Sequence, residues 1–266
     1  MITNIHPTAH ISPSATIADG AEIGPNVIVG DHSSIGAGTR VMANAVIGPW
    51  TQIGENNVIH FGAIVGHDPQ DFGYKGEESW TIVGNGNVIR EYVTIHRGNR
   101  PGTKTMIGSN NLFMAHSHVA HNCELGSNII LVNGALLAGH VVVEDRVIIS
   151  GNSVVHQFCR IGTFSYIGGV SGISLDVPPY VIIAGTRNRT RISGVNKVGL
   201  KRNGFSRETI KKLDTAFRII FRTPSLLMKD AIEVAKNEFP ECEEVQTLVR
   251  FFEDSKRGVV KQTEEE

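Results

Sequence analysis

Aromatic side chains and net charge are both scarce in this chain of 266 residues. Phe, Trp and Tyr make up 6% of the sequence, and the formal net charge is −1. A core with so few aromatic rings has to be built mainly from small branched side chains. The balanced charge creates no overall field that would favour nucleic acid or a membrane surface as a partner.

Cysteine is also rare, and long hydrophobic runs are missing. Cys123, Cys159 and Cys242 form an odd set without metal-type spacing, which indicates reduced thiols in a cytoplasmic protein. No apolar run approaches the ~20 residues of a membrane span. The first residues, MITNIHPTAHISPS, have neither the basic nor the apolar region of a signal peptide. We therefore expect a soluble cytoplasmic protein without a membrane span.

Glycine is plentiful, with 29 residues, and apolar residues recur at every sixth position from Ile5 to Ile173. The recurrence fails only at positions 71, 77 and 101. A period of six fits neither an α-helix nor a simple alternating strand, and it is a signature of parallel β-helices. In such a solenoid each aliphatic residue points into a shared interior, and Gly often occupies the turn that follows.

These hexads resemble those of the left-handed β-helix acyltransferases, whose prisms take three hexads in each coil. The resemblance, and not the period itself, implies the left hand. We therefore expect a mainly β protein, with a left-handed parallel β-helix followed by a small α-helical C-terminal domain. A rigid rod or an ice-binding face without catalytic function is the alternative that the repeat alone leaves open.

Two polar segments rich in Gly and Pro interrupt the repeat, at about residues 67–81 and 97–106. Loops on a rigid scaffold often carry function, although these segments could also be tolerated surface insertions. After Pro178-Pro179 the repeat stops, and we place the boundary of the solenoid (residues 1–190) and the helical domain (191–266) in the sequence TRNRTRISG.

The C-terminal region has helical periodicity. Ile210, Leu213, Phe217 and Ile220 fall on one face of a predicted helix, and Thr223-Pro224 predicts the beginning of the next. A last helix carries the apolar residues Val245, Leu248, Val249 and Phe252. Basic residues dominate positions 201–222, which indicates either a solvated helix face or a surface for an acidic partner.

Several histidines fall in the last block of hexads. His121, Gly139 and Gln157 are spaced by three hexads, so they should stack along one edge of the prism, with His140 and His156 beside them. An imidazole titrates near about pH 6.5 and can act as a general base. The Gly139 N–H could stabilise an oxyanion, which together with a base suits acyl transfer. Three histidines on adjacent coils could also hold zinc.

Longer strings carry a closer resemblance. They resemble the UDP-N-acetylglucosamine O-acyltransferase family of lipid A biosynthesis over nearly the whole chain. The strings are IREYVTIHRG (89–98), SHVAHNCELG (117–126), LLAGHV (136–141), VVHQFCRIG (154–162), DVPPYV (176–181) and GVNKVGLKRNGFS (194–206). The resemblance implies a homotrimer with active sites between subunits, an acyl carrier protein thioester as donor, a UDP-sugar as acceptor, and no cofactor or metal.

The same resemblance assigns roles residue by residue. It implies that His121 is the general base that deprotonates the 3-position of the sugar, that Asn122 orients its ring, and that the Gly139 amide stabilises the oxyanion. The remaining implied residues bind substrate. Contacts to the sugar or the acyl chain are implied for Asp71, His118, His140, His156 and Gln157. Contacts to the nucleotide are implied for Asn196 and Arg202, and Gly169 leaves room for a long 3-hydroxyacyl chain. An acidic carrier protein would give the basic segment 201–222 a use.

Four positions depart from the family pattern. Asn122 stands where Asp is frequent, Gly73 replaces a loop Lys, Val198 replaces Glu, and Asn203 replaces a second Arg. They leave open whether the acceptor carries a 3-hydroxyl or a 3-amino group. The alternatives are a sibling N-acyltransferase, a zinc hydratase and a non-catalytic scaffold. The sibling usually carries an extra N-terminal domain, and we expect no room for it because the hexads begin at Ile5.

Overall fold

The computed structural model describes residues 4–185 and 190–260, and this part of the chain forms 28 short strands and four helices. The strands up to the first long loop are β1 Asn4–Ile5, β2 His10–Ile11, β3 Thr16–Ile17, β4 Glu22–Ile23, β5 Ile28–Val29, β6 Ser34–Ile35, β7 Arg40–Val41, β8 Val46–Ile47, β9 Thr51–Ile53, β10 Val58–Ile59 and β11 Ile64–His67. Those that follow are β12 Trp80–Val83, β13 Val88–Ile89, β14 Thr94–His96, β15 Lys104–Ile107, β16 Leu112–Phe113, β17 His118–Val119, β18 Glu124–Leu125, β19 Ile130–Leu131 and β20 Leu136–Leu137. The last are β21 Val142–Val143, β22 Ile148–Ile149, β23 Val154–Val155, β24 Arg160–Ile161, β25 Tyr166–Ile167, β26 Gly172–Ile173, β27 Val181–Ala184 and β28 Arg191–Val195.

The strands form three sheets, which are the faces of a triangular prism. Face I contains β1, β4, β7, β10, β13, β16, β19, β22, β25, β27 and β28, and face II contains β2, β5, β8, β11, β14, β17, β20, β23 and β26. Face III contains β3, β6, β9, β12, β15, β18, β21 and β24. All pairs are parallel except β27 with β28, and Ile5 pairs with Ile23, which lies one coil of three hexads later.

In the two-residue strands the second residue points inward. From Ile23 onward these inward residues are buried, among them Ile47, Ile89 and Ile149, which confirms the predicted aliphatic core. Most turns between faces contain a residue with positive φ, which Asn adopts more readily than most side chains, as at Asn44 and Asn128.

Both predicted loops leave the prism at the same edge, between faces II and III. The first connects β11 to β12, so that Ile53 pairs with Val83, which lies five hexads later instead of three. The second connects β14 to β15, so that Thr94 pairs with His118, which lies four hexads later. Each loop thus adds a whole number of hexads, which explains why the hexad phase in the sequence continues across both loops.

The helices follow the solenoid: α1 Lys197–Arg202, α2 Arg207–Arg222, α3 Met228–Glu238 and α4 Glu243–Asp254. The side chain of Ser206 caps α2 by accepting from the Thr209 N–H, and Leu213, Phe217 and Ile220 are buried as predicted. The predicted helix start at Thr223-Pro224 is wrong, since α3 begins at Met228 and the chain turns before it. Proline fixes φ but does not by itself continue a helix.

The predicted boundary at residue 190 stays a prediction, and residues 186–189 next to it lie outside the described part. Strand β28 still belongs to face I, where it pairs with β27. Arg160 on face III is placed over the ring of Phe251 of α4, with its guanidinium carbon 4.5 Å from the ring centroid. Among the helices that the structure describes, none is long and apolar enough to cross a membrane.

Candidate active site

Three successive turns at the edge between faces II and III carry His121, Gly139 and Gln157. The His140 N–H donates to the His121 carbonyl at 3.0 Å, and the Phe158 N–H donates to the Gly139 carbonyl at 3.1 Å. These bonds join each turn to the same turn of the next coil. The stacking that the sequence predicts is therefore confirmed, and both loops lie at the same edge.

A neighbouring amide fixes the orientation of the His121 ring. Asn122 Oδ1 lies 3.0 Å from His121 Nδ1, and the same oxygen accepts the Asn99 backbone N–H at 3.1 Å. An amide oxygen only accepts, so Nδ1 of a neutral His121 has to carry the proton. Nε2 is then the nitrogen with a free lone pair.

Asn122 itself is held by its turn. Its φ is +59°, a left-handed conformation that Asn adopts more easily than most residues. Its N–H donates to Thr105 Oγ1 at 2.8 Å, which connects the turn to strand β15. Both contacts fix the position from which the side chain reaches the His121 ring.

Asp71, in the first loop, connects to the same network through Asn99. Its carboxylate accepts from Asn99 Nδ2 at 2.6 Å and from the Gly73 N–H at 2.7 Å. The Gly73 N–H, and then the Asn99 amide, hold the pKa of Asp71 below its usual value. The side chain therefore presents a carboxylate at neutral pH.

Gly139 lies so close to His121 that any side chain at position 139 would displace the His121 ring. A Cβ at position 139 would lie 2.5 Å from His121 Cε1 and 2.7 Å from Nε2. The Gly139 N–H donates to no acceptor in the described part of the chain. It is therefore available to a ligand beside the imidazole.

His140 forms a further wall of the site. Its ring stacks on Phe158 with centroids 4.7 Å apart and meets the His121 ring edge-on at 5.2 Å. Burial, and then the neighbouring His121, lower the pKa of His140. The ring is thus a neutral hydrogen-bonding group at neutral pH.

These side chains surround one cavity of about 500 Å³. It is lined by Gln70, Asp71, Phe72, Asn99, Arg100, His121, His140, Gln157 and Phe158. The structure thus brings together the predicted residues Asp71, His121, His140 and Gln157. The second loop was predicted to matter, but Asn99 and Arg100 were not singled out, because no repeat register fixes the place of a loop residue.

Besides Asn122 and Gly139, two further predicted residues lie nearby but outside the lining of this cavity. His118 is on the outer surface of face II, where its Nδ1 is 2.7 Å from Thr94 Oγ1, and burial lowers its pKa. His156 begins the turn that carries Gln157, and its Nδ1 lies 2.8 Å from an Arg257 nitrogen of the C-terminal segment.

Three other predicted residues lie at the two remaining edges. Gly169 occupies a turn between faces I and II, where a Cβ would meet nothing closer than 3.5 Å. Asn196 donates to the Phe164 carbonyl at 2.9 Å, at the edge between faces III and I, and it caps α1. Arg202 is exposed at the end of α1. Within one chain these residues do not meet His121.

The structure gives physical reasons for two of the four departures. A Cβ at Gly73 would lie 3.0 Å from both terminal nitrogens of Arg100, so the arginine occupies the space beside this glycine. Asn203 ends α1 and accepts from Arg146 at 2.7 Å. Val198 is exposed, and nothing in the structure explains it.

The thiols are far from reactive. Burial raises the pKa of Cys123 to about 12 and that of Cys159 to about 11. The cavity lining contains no Ser, Thr or Cys. Among the described residues, no group of three or more His, Cys, Asp and Glu is arranged to hold a metal ion.

Known proteins resemble this chain over almost its full length. A profile described as UDP N-acetylglucosamine O-acyltransferase, domain 2, matches residues 176–260, and a bacterial transferase hexapeptide profile matches residues 32–67. A relative from Alkalilimnicola ehrlichii, named acyl-[acyl-carrier-protein]–UDP-N-acetylglucosamine O-acyltransferase, is 48% identical over 261 residues, which are 98% of this chain and 100% of the relative. The chain belongs to the UDP-N-acetylglucosamine O-acyltransferase family. A relative of the same name from Halorhodospira halophila is 44% identical over 98% of this chain and 100% of its own.

Solved structures of UDP-N-acetylglucosamine O-acyltransferase family members agree with the fold. The UDP-N-acetylglucosamine acyltransferase of Bacteroides fragilis matches with a TM-score of 0.93 and 41% identity over 97% of this chain and 100% of that chain. The UDP-N-acetylglucosamine O-acyltransferase of Moraxella catarrhalis matches with a TM-score of 0.91 and 43% identity over 97% of this chain and 99% of that chain. The predicted left-handed β-helix with a small helical C-terminal region is thus confirmed, and the chain is an acyltransferase.

Proposed function

We propose that this chain transfers a 3-hydroxyacyl chain from an acyl carrier protein thioester to the 3-position of UDP-N-acetylglucosamine, the first step of lipid A biosynthesis. His121 is the general base, the Gly139 N–H stabilises the oxyanion, and no covalent acyl-enzyme forms. The observation that carries the proposal is the contact between the His121 ring and the Gly139 backbone beside a cavity of about 500 Å³. The curated relatives are named acyl-[acyl-carrier-protein]–UDP-N-acetylglucosamine O-acyltransferase, which supports the donor and the acceptor.

The free Nε2 lone pair of His121 supports the base role. His121 Nε2 takes the proton of the sugar 3-hydroxyl while the hydroxyl oxygen attacks the thioester carbonyl. Asn122 and Asn99 keep Nδ1 protonated and the ring in place, which is the positioning that a general base requires. Asp71, His140 and Gln157 line the cavity and bind the sugar.

The position of Gly139 supports the second half of the reaction. The attack places a negative charge on the former carbonyl oxygen, and a fixed backbone N–H stabilises such a charge. When the tetrahedral intermediate collapses, the C–S bond breaks. The thiolate of the carrier protein leaves and receives the proton that His121 holds. His121 thus returns to its neutral state.

The absence of a hydroxyl or thiol nucleophile from the cavity lining supports direct transfer. An acyl-enzyme on oxygen or sulfur would need a Ser, Thr or Cys within reach of the base, and the residues that line the cavity include none. Cys123 is fully buried under the same edge, with a pKa raised to about 12, and is not a thiolate at neutral pH.

The separation of the substrate-binding residues supports a homotrimer with sites between subunits. His121, Gly169 and Asn196 lie at three different edges of one prism, so only a second copy can bring such edges together. The outward residues of faces I and II are largely apolar. They include Val58, Val88, Leu112, Ile130 and Ile148 on face I, and Ile28, Val46, Ile64, Leu136 and Val154 on face II.

In the ring of three that we propose, face II of one subunit packs against face I of the next. Such head-to-tail contacts close when the rotation matches the subunit number. The edge with His121 then lies beside the neighbour's edge with Asn196 and Arg202, which meet the nucleotide. Gly169 lies where faces I and II meet, near the ring's axis, and its lack of a side chain leaves length for the acyl chain.

Exposed cations support the acidic carrier protein as the acyl donor. Glu208 and Asp214 pair with Lys212 and Arg218 within α2. Lys201, Arg202, Arg207 and Lys211 are exposed and have no acidic partner in the described part of the chain. The acyl carrier protein as donor supports a cytoplasmic location. The three buried free thiols support it as well, because cysteine stays reduced in the cytoplasm.

A 3-amino sugar is the second candidate acceptor, and Asn122 is the observation that favours it. A neutral amide beside Nδ1 orients the imidazole but adds no negative charge to stabilise imidazolium. An amine is a stronger nucleophile than a hydroxyl and needs less help from the base. The choice between oxygen and nitrogen is therefore open to direct measurement.

The test is an acyl transfer assay with purified protein. A panel of 3-hydroxyacyl carrier proteins is incubated with UDP-N-acetylglucosamine or its 3-amino analogue, and acylated nucleotide is followed. We expect turnover with one acceptor, and loss of at least about 10³-fold in His121→Ala with the oligomer retained. His10→Ala, at the exposed first coil, is the matched control and should match wild type. Near-normal turnover in His121→Ala would remove the base from the mechanism.

A further inference from the structure

The end of the described chain returns to the solenoid next to the active-site edge. Residues 255–260, called the tail here, follow α4 and pair with Asp176. The Asp176 N–H donates to the Gly258 carbonyl at 2.9 Å, and the Val260 N–H donates to the Asp176 carbonyl at 2.9 Å. Ser255 Oγ donates to the buried Asp176 carboxylate at 2.7 Å. The tail is therefore fixed to the loop after β26.

Arg257 projects from this tail to the turn that carries Gln157. Its Nε donates to the Ser174 carbonyl at 2.8 Å, which directs the guanidinium toward the edge between faces II and III. One terminal nitrogen then reaches His156 Nδ1 at 2.8 Å. Two separate contacts thus hold a cation from the C-terminal tail against a histidine beside the cavity.

The contact selects one tautomer of His156. A guanidinium nitrogen can only donate, so Nδ1 has to accept and carries no proton. The Gln157 carbonyl lies 3.2 Å from the same Nδ1 and would require the opposite, a protonated Nδ1. The arginine contact is shorter, 2.8 Å against 3.2 Å, and is charge-assisted, so it decides the tautomer. The proton is then on Nε2.

We propose that Arg257 is a positioning residue that keeps His156 as an Nε2–H donor for the bound acyl donor. This rests on the proposed function, in which His156 contacts substrate. His121 and His156 thereby carry opposite tautomers. Asn122 leaves His121 a free Nε2 lone pair for accepting a proton, and Arg257 gives His156 an Nε2–H for binding an oxygen. The C-terminal tail, far from His156 in sequence, sets the second of these states.

The test combines kinetics with a direct view of the tautomer, in the full-length protein. Long-range ¹H–¹⁵N spectra of histidine-labelled protein distinguish the two neutral tautomers, and His156→Gln assigns the signal. We expect an Nε2–H His156 in wild type and a mixture of tautomers in Arg257→Ala. The kcat/KM for the acyl carrier protein substrate should fall about tenfold or more in Arg257→Ala, with Arg257→Lys recovering part of it.

Ser255→Ala is the matched control, because it loosens the tail from Asp176 without touching His156. It should keep the wild-type tautomer and lie within about twofold of wild-type kcat/KM. Arg257→Ala combined with His156→Gln should be no slower than His156→Gln alone, because the arginine acts through the histidine.

An unchanged His156 signal in Arg257→Ala would overturn the proposal, as would an equal loss in Ser255→Ala or additive losses in the double variant. If wild type transfers no acyl group at all, the proposed function fails. The spectra still decide the link between Arg257 and His156, so the two failures are distinguishable.

Discussion

At the scale of single residues, the proposed active site depends on how closely the His121 ring approaches the next coil. Parallel coils bring equivalent turns to about the strand spacing of 4.8 Å, which leaves little room between a ring and the backbone above it. At position 139 a hydrogen in place of a Cβ makes the approach possible. The same lack of a side chain leaves the Gly139 N–H accessible.

We expect Gly139→Ala to fold but to lose activity. The new Cβ would lie 2.5 Å from His121 Cε1, so the ring has to move away from its position. A displacement of this kind costs about 10²-fold in turnover. The measurement is kcat beside a thermal melt. Gly169→Ala is the control, since its Cβ would meet nothing closer than 3.5 Å, and it should keep activity with short acyl donors. Equal activity of Gly139→Ala and wild type would contradict the expectation.

The sequence predicted some of these residues and not others. The spacing of His121, Gly139 and Gln157 was sufficient once the family resemblance implied three hexads in each coil, because a solenoid converts sequence distance into spatial position. Asn99 lies outside this rule. It reaches Asp71 and Asn122 only because two loops of different length leave the same edge. Such a contact depends on loop conformation, which no periodicity encodes.

At the scale of elements, the two loops are joined by one buried arginine. The guanidinium of Arg97, at the beginning of the second loop, is almost fully buried and donates to the Gly66 carbonyl at 3.0 Å and the Tyr74 hydroxyl at 2.7 Å. It also pairs with Asp68 and lies 5.2 Å from the ring centroid of Trp50. The first loop, which carries Asp71, is therefore fixed to the prism by its neighbour.

We expect Arg97→Gln to release the first loop. The charge-assisted hydrogen bonds of Arg97 stabilise the closed state of the loop. Each loss of about 1.4 kcal/mol of this free energy raises the population of the open loop by about tenfold. Trypsin should then cut at the exposed Lys75 at least about tenfold faster, and KM for the nucleotide sugar should rise because Asp71 is displaced. Cleavage is read by mass spectrometry. Arg90→Gln removes only an exposed pair with Glu91 and should behave as wild type. Slow cleavage in both variants would show that the loop is held in another way.

Helical elements were predicted less completely than strands. The apolar face of α2 could be predicted because Leu213, Phe217 and Ile220 repeat at helical spacing, and all three are buried. The start of α3 was not, because Leu227 provides no side-chain cap and Thr223-Pro224 forms a turn. A helix boundary without a capping side chain leaves no distinct mark in the sequence.

At the scale of the whole molecule, one chain distributes the proposed binding residues over three edges. A single prism therefore contains the proposed base and the Gly139 amide, but the proposed nucleotide contacts do not lie beside them. Apolar residues on the outside of faces I and II are the surfaces that a ring of three would bury. Face III carries more polar outward residues, among them Ser34, Gln52 and Glu124.

We expect lysines on face II to break the proposed trimer. Leu136 and Val154 are neighbours on this face, and their side chains are 39% and 46% exposed. In the double variant Leu136→Lys with Val154→Lys, burial of two charged side chains between subunits costs free energy. Light scattering of the double variant should give the mass of one chain, 28.9 kDa, instead of three times that value. Ile82→Lys with Met106→Lys, an adjacent pair on face III, is the matched control and should keep the wild-type mass. If both variants assemble normally, face II is not the contact surface.

By itself the sequence determined a parallel β-solenoid with an aliphatic core, because a strict six-residue repeat has to bury its apolar residues in a shared interior. The family resemblance added the coil of three hexads, which puts His121, Gly139 and Gln157 on one line. Only the tertiary structure decided how this edge is completed. It brought Asn99 beside Asn122, and it returned Arg257 to His156 from a distant part of the chain. These contacts depend on the conformation of the loops and the tail, which a local sequence pattern does not predict.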